Sequence, residues 1–312
     1  MRVPNIVVIG SLNMDIAVEA ERSPSMGETI MGRDVHFIPG GKGANQAVAA
    51  ARLGAHTTMI GTLGSDSFGA ELRNSLVQSG VDVRGIKTAE GVPTGIASIL
   101  LAQGDNQIVV VPGANAHCLP EDVYQHEALI AQADVVLLQL EIPLRTVIAA
   151  AEVAKRHGRT VILNPGPARD LPEELLKHTD YITPNRSELG LLTGMDTSGE
   201  QWKEAAKRLL EMGPRHVITT LGSQGSGYMK SDMHITDIPA YRVPVIDTTG
   251  AGDSFNGGLA YALAAGEDLD NAVHFATKVS ALAVTKFGAQ AGMPSLEKVE
   301  TFDWSIVQAS LC

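Results

Sequence analysis

The chain has 312 residues, 44% hydrophobic and 19% charged, with 35 acidic against 24 basic side chains and a net charge of -11. That composition buries a large core and leaves no disordered tract, and the acidic balance, with no run of Lys and Arg, argues against nucleic acid or an anionic membrane as partner. Thirty-two glycines beside only 4% aromatics point to aliphatic packing and to backbone brought close to ligands.

The first predicted element is a strand over Asn5–Gly10. Its apolar run, Ile6 to Ile9, is too short for a signal peptide or a membrane span, and Asp15 soon follows, so a cytosolic protein is expected. The two cysteines, Cys118 and Cys312, are far apart and form no CxxC, which suits a reducing compartment. Gly10-Ser11-Leu12-Asn13-Met14-Asp15 puts Asn13 and Asp15 just past the strand's carboxyl end, where open α/β sheets bind ligands. An amide and a carboxylate two residues apart either grip a vicinal diol or make an Asx turn. No GxGxxG follows this strand, which argues against nicotinamide chemistry.

Residues 12–38 alternate as strands, and Pro39-Gly40-Gly41-Lys42-Gly43-Ala44-Asn45-Gln46 then leads into a helix over Gly43–Leu53. The glycines let a small polar ligand approach the backbone, with Lys42 and Asn45 as donors. GxxxxGK[ST] is absent from the chain, so this is no P-loop. A strand over Thr57–Gly61 and a helix over Phe68–Ser79 precede a second alternating stretch, residues 93–111. The two alternating stretches read as a small antiparallel sheet projecting as a lid, or as extra edge strands of the main sheet.

Strands over Val135–Leu140, Thr160–Asn164, Tyr181–Thr183 and Val217–Leu221 then alternate with helices over Leu144–His157 and Gly199–Glu211, the rhythm of a mainly parallel sheet covered on both faces. Glu141 ends the first of these strands, where a carboxylate is costly without a ligand or partner. Pro184-Asn185-Arg186-Ser187-Glu188 puts Asn185 and Glu188 one helical turn apart, suited to ordering water around Mg²⁺ or to a capping box. Thr220-Leu221-Gly222-Ser223-Gln224-Gly225-Ser226-Gly227 reads as a glycine turn that receives phosphates or a ribose, or as a plain hairpin.

Asp247-Thr248-Thr249-Gly250-Ala251-Gly252-Asp253-Ser254-Phe255-Asn256-Gly257-Gly258 carries the strongest local signal. Its Gly250-Ala251-Gly252 turn aims backbone N–H groups at one point as a helix begins, which makes an anion hole. Asp253, in the first turn, is placed to accept a hydroxyl proton while those amides stabilise a transferring phosphoryl group, or simply to cap the helix. Gly257 and Gly258 inside the helix each cost about 1 kcal/mol against Ala, so close packing or a ligand must require them. Helices over Gly250–Gly266 and Leu269–Lys286 close the pattern, and with no repeat or linker residues 1–312 read as one α/β domain with a lid at about 12–38 and 93–111. Nine histidines form no HExxH or Cys/His cluster, so a catalytic zinc is not expected.

Together, Gly40-Gly41-Lys42-Gly43-Ala44-Asn45-Gln46 and Asp247 to Gly257 resemble the two signature motifs of the PfkB carbohydrate kinase family, and within it the kinases that act on ribose. The likeness extends through Leu138 to Glu141, Asn164 to Ala168, Thr183 to Asn185, Thr220 to Ser223 and Val284 to Gln290. The resemblance implies a three-layer α/β/α sandwich with a mainly parallel sheet and a β lid that packs on a second subunit's lid. It implies ATP-dependent phosphorylation of the 5-hydroxyl of ribose, with Asp253 as base and the amides of Ala251, Gly252 and Asp253 as anion hole. Asn13, Asp15, Gly41, Lys42, Gly43, Asn45 and Glu141, with Met14 and Ala44 in the same motifs, would surround the sugar. Asn185 and Thr220, Leu221, Gly222, Ser223, Gln224 and Gly225 would meet ATP, with Glu188 ordering Mg²⁺ through water. K⁺ would lie among Asp247, Thr249, Ala283, Lys286, Gly288 and Gly292. The chain departs from the family pattern at Gly292, where a serine ligand is familiar, and at Thr277, where a histidine often lines the adenine pocket.

The main rivals are kinases of deoxyribose or of other sugars and nucleosides, and Asp15 discriminates among them because its two oxygens suit a sugar with both 2- and 3-hydroxyls. A non-catalytic sugar-binding regulator on the same fold would be expected to have lost Asp253 or the Gly250-Ala251-Gly252 turn, and both are present.

Overall fold

A computed structural model of the chain describes residues 2–103 and 105–306; Cys312 lies outside the described residues. The strands, in chain order, are β1 (Asn5–Ile9), β2 (Asn13–Glu19), β3 (Asp34–Gly40), β4 (His56–Gly64), β5 (Asp82–Ala89), β6 (Gly95–Ala102), β7 (Asp105–Val111), β8 (Val135–Leu138), β9 (Thr160–Leu163), β10 (Tyr181–Ile182), β11 (His216–Thr220), β12 (Ser226–Met229) and β13 (Ile235–Ile238). Nine form one sheet in the order β13-β12-β11-β10-β9-β8-β1-β4-β5, parallel from β11 to β5 and antiparallel on both sides of β12. β5, β12 and β13 were not legible in the sequence, and the turn after Thr220 is a hairpin joining β11 to β12.

Period-two alternation in fully buried strands explains the layers. In β1, Ile6 and Val8 face a cluster closed by the Lys42–Arg52, Ala251–Ala264 and Leu269–Ala283 helices, while Val7 and Ile9 face one closed by the Leu144–Arg156 and Trp202–Glu211 helices. A three-layer α/β/α arrangement results.

The stretches expected to form a lid make a separate four-stranded sheet, β3-β2-β6-β7, rather than edges of the main one. Pairing is antiparallel within each hairpin and parallel where β2 meets β6, because both strands leave the same end of the main sheet, one after β1 and one after β5. Alternation turns Ala97, Ile99, Ile108 and Val110 toward a cleft over the main sheet, and Val109 and Val111 away from it.

Gly257 explains itself by packing. A Cβ there would stand 2.5 Å from the Ala49 Cβ and 3.1 Å from the Gln46 carbonyl, so its absence lets two helices touch. Gly257→Ala should therefore destabilise the fold by about 1–3 kcal/mol in chemical denaturation, despite the higher helix propensity of Ala. A variant as stable as the parent would show that the helices part freely.

Candidate active site

A cleft of about 710 Å³ opens between the four-stranded sheet and the carboxyl ends of the main strands, lined by Asn13, Asp15, Gly41, Lys42, Asn45, Glu141 and Asp253 among others. A recess of about 160 Å³ adjoins it, lined by Asn164, Thr183, Asn185, Thr220 and the Thr248–Asp253 turn. Lys42, Glu188, Gly250 and Asp253 line both, so a group held in one meets a group held in the other at Asp253.

Asp253 is buried, and its carboxylate is held from two sides. Asn45 Nδ2 donates to Oδ2 at 2.9 Å and Gln46 Nε2 donates to Oδ1 at 3.1 Å. A carboxylate only accepts, so both amides are fixed nitrogen-first. Gln46 Oε1 then accepts from Gln139 Nε2 at 2.7 Å, and Asn45 Oδ1 from Gln290 Nε2 at 3.2 Å. No role is legible for Gln46, Gln139 and Gln290 from sequence alone; the signal available was the place of Gln46 in the first signature motif and of Gln139 and Gln290 in the further stretches of likeness.

The helix after Gly250 begins with that glycine in the left-handed region, φ 75°. Ala251 N–H donates to the Thr248 carbonyl at 3.2 Å, and the first helical bond runs from Ser254 N–H to the Gly250 carbonyl at 2.8 Å. Ala251 N–H is thus spent on the turn, which narrows the expected anion hole to Gly252 and Asp253, whose N–H groups find no backbone acceptor among the described residues. A Cβ on Gly252 would meet nothing within 4 Å. Gly252→Ala should leave stability unchanged or slightly higher while lowering kcat at least tenfold, by putting a methyl at the recess; unchanged turnover would remove Gly252 from the reaction.

Glu141 lies three residues past the end of β8, so that strand stops short of the expected Leu140. Its Oε2 accepts from Ser11 Oγ at 2.5 Å, the Lys42 backbone N–H at 3.1 Å and Asn13 Nδ2 at 3.5 Å. Asp15 leans over Gly40, where any Cβ would collide with its carboxylate. Burial first, and then the charges of Glu141 and Asp253, push the Asp15 carboxyl up to about 7. Burial works against the Lys42 ammonium, yet Asp253, Glu141 and Glu188 together hold it above the usual lysine range.

Three residues expected around the sugar do not line the cleft. Strand alternation turns Met14 into the core, opposite Asn13 and Asp15, and Ala44 lies on the buried face of its helix. Gly43 serves close packing, since a Cβ there would stand 2.6 Å from Ser11 N.

Asn185 and Glu188 form the capping box: Glu188 N–H donates to Asn185 Oδ1 at 2.8 Å and Asn185 N–H to Glu188 Oε2 at 2.9 Å. Asn185 also bridges Thr220, and both line the recess. Leu221, Gly222, Ser223, Gln224 and Gly225 continue outward from it, Gln224 bonded to Arg186. Thr277 lies behind β12 instead, its hydroxyl donating to the Val273 carbonyl at 2.8 Å and meeting Ser226 Oγ at 3.1 Å.

No cluster of His, Cys, Asp or Glu suited to a metal occurs among the described residues. A monovalent ion held by backbone carbonyls needs none, and the loop expected to hold one is tied together. Asp247 accepts from the Thr249 and Gly288 N–H groups at 2.9 and 2.8 Å, and Gly292 N–H donates to the Gly288 carbonyl at 3.0 Å. The Ala283 carbonyl presses where a Cβ on Gly292 would be, so this loop is built around glycine and a serine there would displace that carbonyl.

Residues 3–296 match the family model described as pfkB family carbohydrate kinase. The chain is 42% identical to the ribokinase of Bacillus subtilis, over 95% of this chain and 98% of that one, and 35% identical to the deoxyribokinase of Salmonella typhi, over 96% and 98%. The structure of Arabidopsis thaliana ribokinase complexed with ribose and ATP superposes with a TM-score of 0.90 at 35% identity, covering 97% of this chain and all of that one.

Proposed function

The chain belongs to the pfkB family of carbohydrate kinases, and from that premise we propose that it transfers the γ-phosphoryl group of ATP to the 5-hydroxyl of D-ribose. The observation that carries this reading is the position of Asp253, at the junction of a cleft lined by carboxylates and amides suited to a polyol and a recess headed by free helix N–H groups. Ribose lies in the cleft against Asn13, Asp15, Lys42, Asn45 and Glu141. Asp253 takes the 5-hydroxyl proton as that oxygen attacks the γ-phosphorus and ADP departs. The N–H groups of Gly252 and Asp253 meet the charge on the transferring phosphoryl oxygens. Asn185 and the Thr220–Gly225 turn would receive ATP, and Glu188, which lines both cavities, would help to hold its Mg²⁺ through water; the metal, when bound, would neutralise β- and γ-phosphate charge. The 247–249 and 283–292 loops, tied together through Asp247, hold the turn that carries the N–H groups, and they would be the place for K⁺ if the protein binds it.

The four-stranded sheet acts as a lid on a single α/β domain spanning the chain, and use of ATP fits a cytosolic setting. Val35, Phe37, Val109 and Val111 are 46, 52, 65 and 47% exposed and stand on the lid face away from the cleft. That face is covered by the lid of a second copy, making a homodimer. Light scattering should report twice the chain mass, and Val109→Lys should shift it to the monomer; a parent that is monomeric at micromolar concentration removes the dimer.

The decisive assay couples ADP release to ATP, Mg²⁺ and each of ribose, 2-deoxyribose, fructose and adenosine, with and without K⁺. Ribose is expected to give the highest kcat/KM, because a 2-deoxy sugar leaves part of Asp15 unpaired. Equal turnover of deoxyribose would move the substrate while keeping the chemistry, and no turnover of any sugar would defeat the reading.

A further inference from the structure

The 3₁₀ turn Gly113–His117 carries one buried polar side chain, Asn115, that meets the cleft residue Asn13 without itself lining the cleft. Asn115 Oδ1 accepts from the Leu12 N–H at 2.9 Å, and its Nδ2 donates to the Leu12 carbonyl at 3.0 Å. Because a backbone N–H can only donate and a carbonyl only accept, this amide has one permitted orientation. Its nitrogen therefore also meets Asn13, donating to Oδ1 at 2.7 Å. Asn13 in turn is left one orientation: oxygen toward Asn115, nitrogen toward Glu141 at 3.5 Å.

We propose that Asn115 is a positioning residue that fixes the side-chain amide of Asn13 nitrogen-first in the sugar site, so that Asn13 offers the sugar a donor while Asp15 and Glu141 offer only acceptors. The inference rests on the reading of the cleft as a sugar site. A hydroxyl that accepts from Asn13 then has its proton free for a carboxylate, which is how one polyol oxygen satisfies two neighbours of opposite character. Without Asn115 only the long contact of Asn13 Nδ2 with Glu141 opposes a flipped amide, and in the flipped orientation an oxygen faces the sugar beside Glu141. Gly95 belongs to the same device. It pairs with Asn13 across β2 and β6, and a Cβ on it would collide with both Asn115 Nδ2 and Asn13 Oδ1, so the two amides meet only over a glycine.

Two substitutions disturb the contact by different means. Asn115→Asp keeps the shape and removes the NH₂ donor, whereas Gly95→Ala keeps every polar group and wedges the amides apart. Each should raise KM for ribose tenfold or more, with KM for ATP unchanged and kcat at saturating ribose altered much less than KM. Damage to the fold alone would instead lower the active fraction, and so kcat, at equal KM, and melting curves report it separately. Should Asn115→Asp fail to fold, Gly95→Ala carries the test. A parent enzyme that phosphorylates ribose with both folded variants at parental KM overturns the role of Asn115, whereas a parent inactive on ribose overturns the sugar reading itself.

Discussion

Replacing Asp253 with Asn lowers kcat for ribose by about 10²–10⁴-fold, the span expected when a positioned general base is removed, while KM for ribose does not rise. The amide is nearly isosteric but not innocent. The native carboxylate accepts from Asn45 and Gln46, and an Asn offers one acceptor and one NH₂, so one neighbour faces a donor. Neither neighbour turns over without loss, because Gln290 holds the oxygen of Asn45 and Gln139 that of Gln46. The variant should therefore also lose about 1–3 kcal/mol in chemical denaturation, which separates the two effects: the stability loss is small and the kinetic loss large. Asp253 is also one of the charges that raise the Asp15 carboxyl. Its removal lets Asp15 ionise at lower pH, so ribose binding to the variant, followed by calorimetry, should persist to more acidic solution than binding to the parent. A residual kcat within tenfold of the parent would take the base away from Asp253.

Much of this site was legible because its residues sit where local sequence rules already apply. Asp253 follows a Gly-x-Gly turn, and Asn13 and Asp15 follow an unmistakable buried strand, so motif and position agree. What could not be read was the choice of face. Met14 and Ala44 belong to the same motifs as Asn13 and Asn45, yet strand and helix periodicity turn them inward, and only the register of β2 with β3 and β6 decides that. Nor could spacing reveal the amides that orient the site. Asn115 is 102 residues from Asn13, and Gln290 is 245 from Asn45, so their meeting is a property of topology. The capping box at Asn185 and Glu188 shows how two readings coexist: one Glu188 oxygen closes the helix start, and the residue still lines both cavities. β5 and β12 escaped for a simpler reason, since Gly85 and Gly227 interrupt their patterns where main chain or Trp202 packs closely.

If the cleft is the sugar site proposed above, Asp15 ties recognition of the sugar to pH and to stability with opposite signs. Its carboxyl is raised from an ordinary 3.8 to about 7 in the free protein. A raised carboxyl contributes stability that is fully present below the unfolded value and is lost as pH rises through the folded one. Ionised and unliganded Asp15 therefore opposes folding above pH 7, by about 4 kcal/mol for a shift of roughly three units. Sugar hydroxyls donate to the carboxylate, so ribose binds the ionised form and draws the carboxyl back down. Three results follow from the one group. KM for ribose should rise as pH falls below about 7, ribose binding near pH 6 should release a proton, visible as a dependence of the calorimetric enthalpy on buffer ionisation, and ribose should stabilise the protein more at pH 8 than at pH 6. Asp15→Asn separates the terms: at pH 8 the free variant should be more stable than the parent by up to about 4 kcal/mol, yet its kcat/KM for ribose should fall at least a hundredfold. The charge that recognises the sugar is then the same charge that weakens the empty protein. A variant that loses ribose turnover without gaining stability at pH 8 would mean that Asp15 is already paired in the free protein.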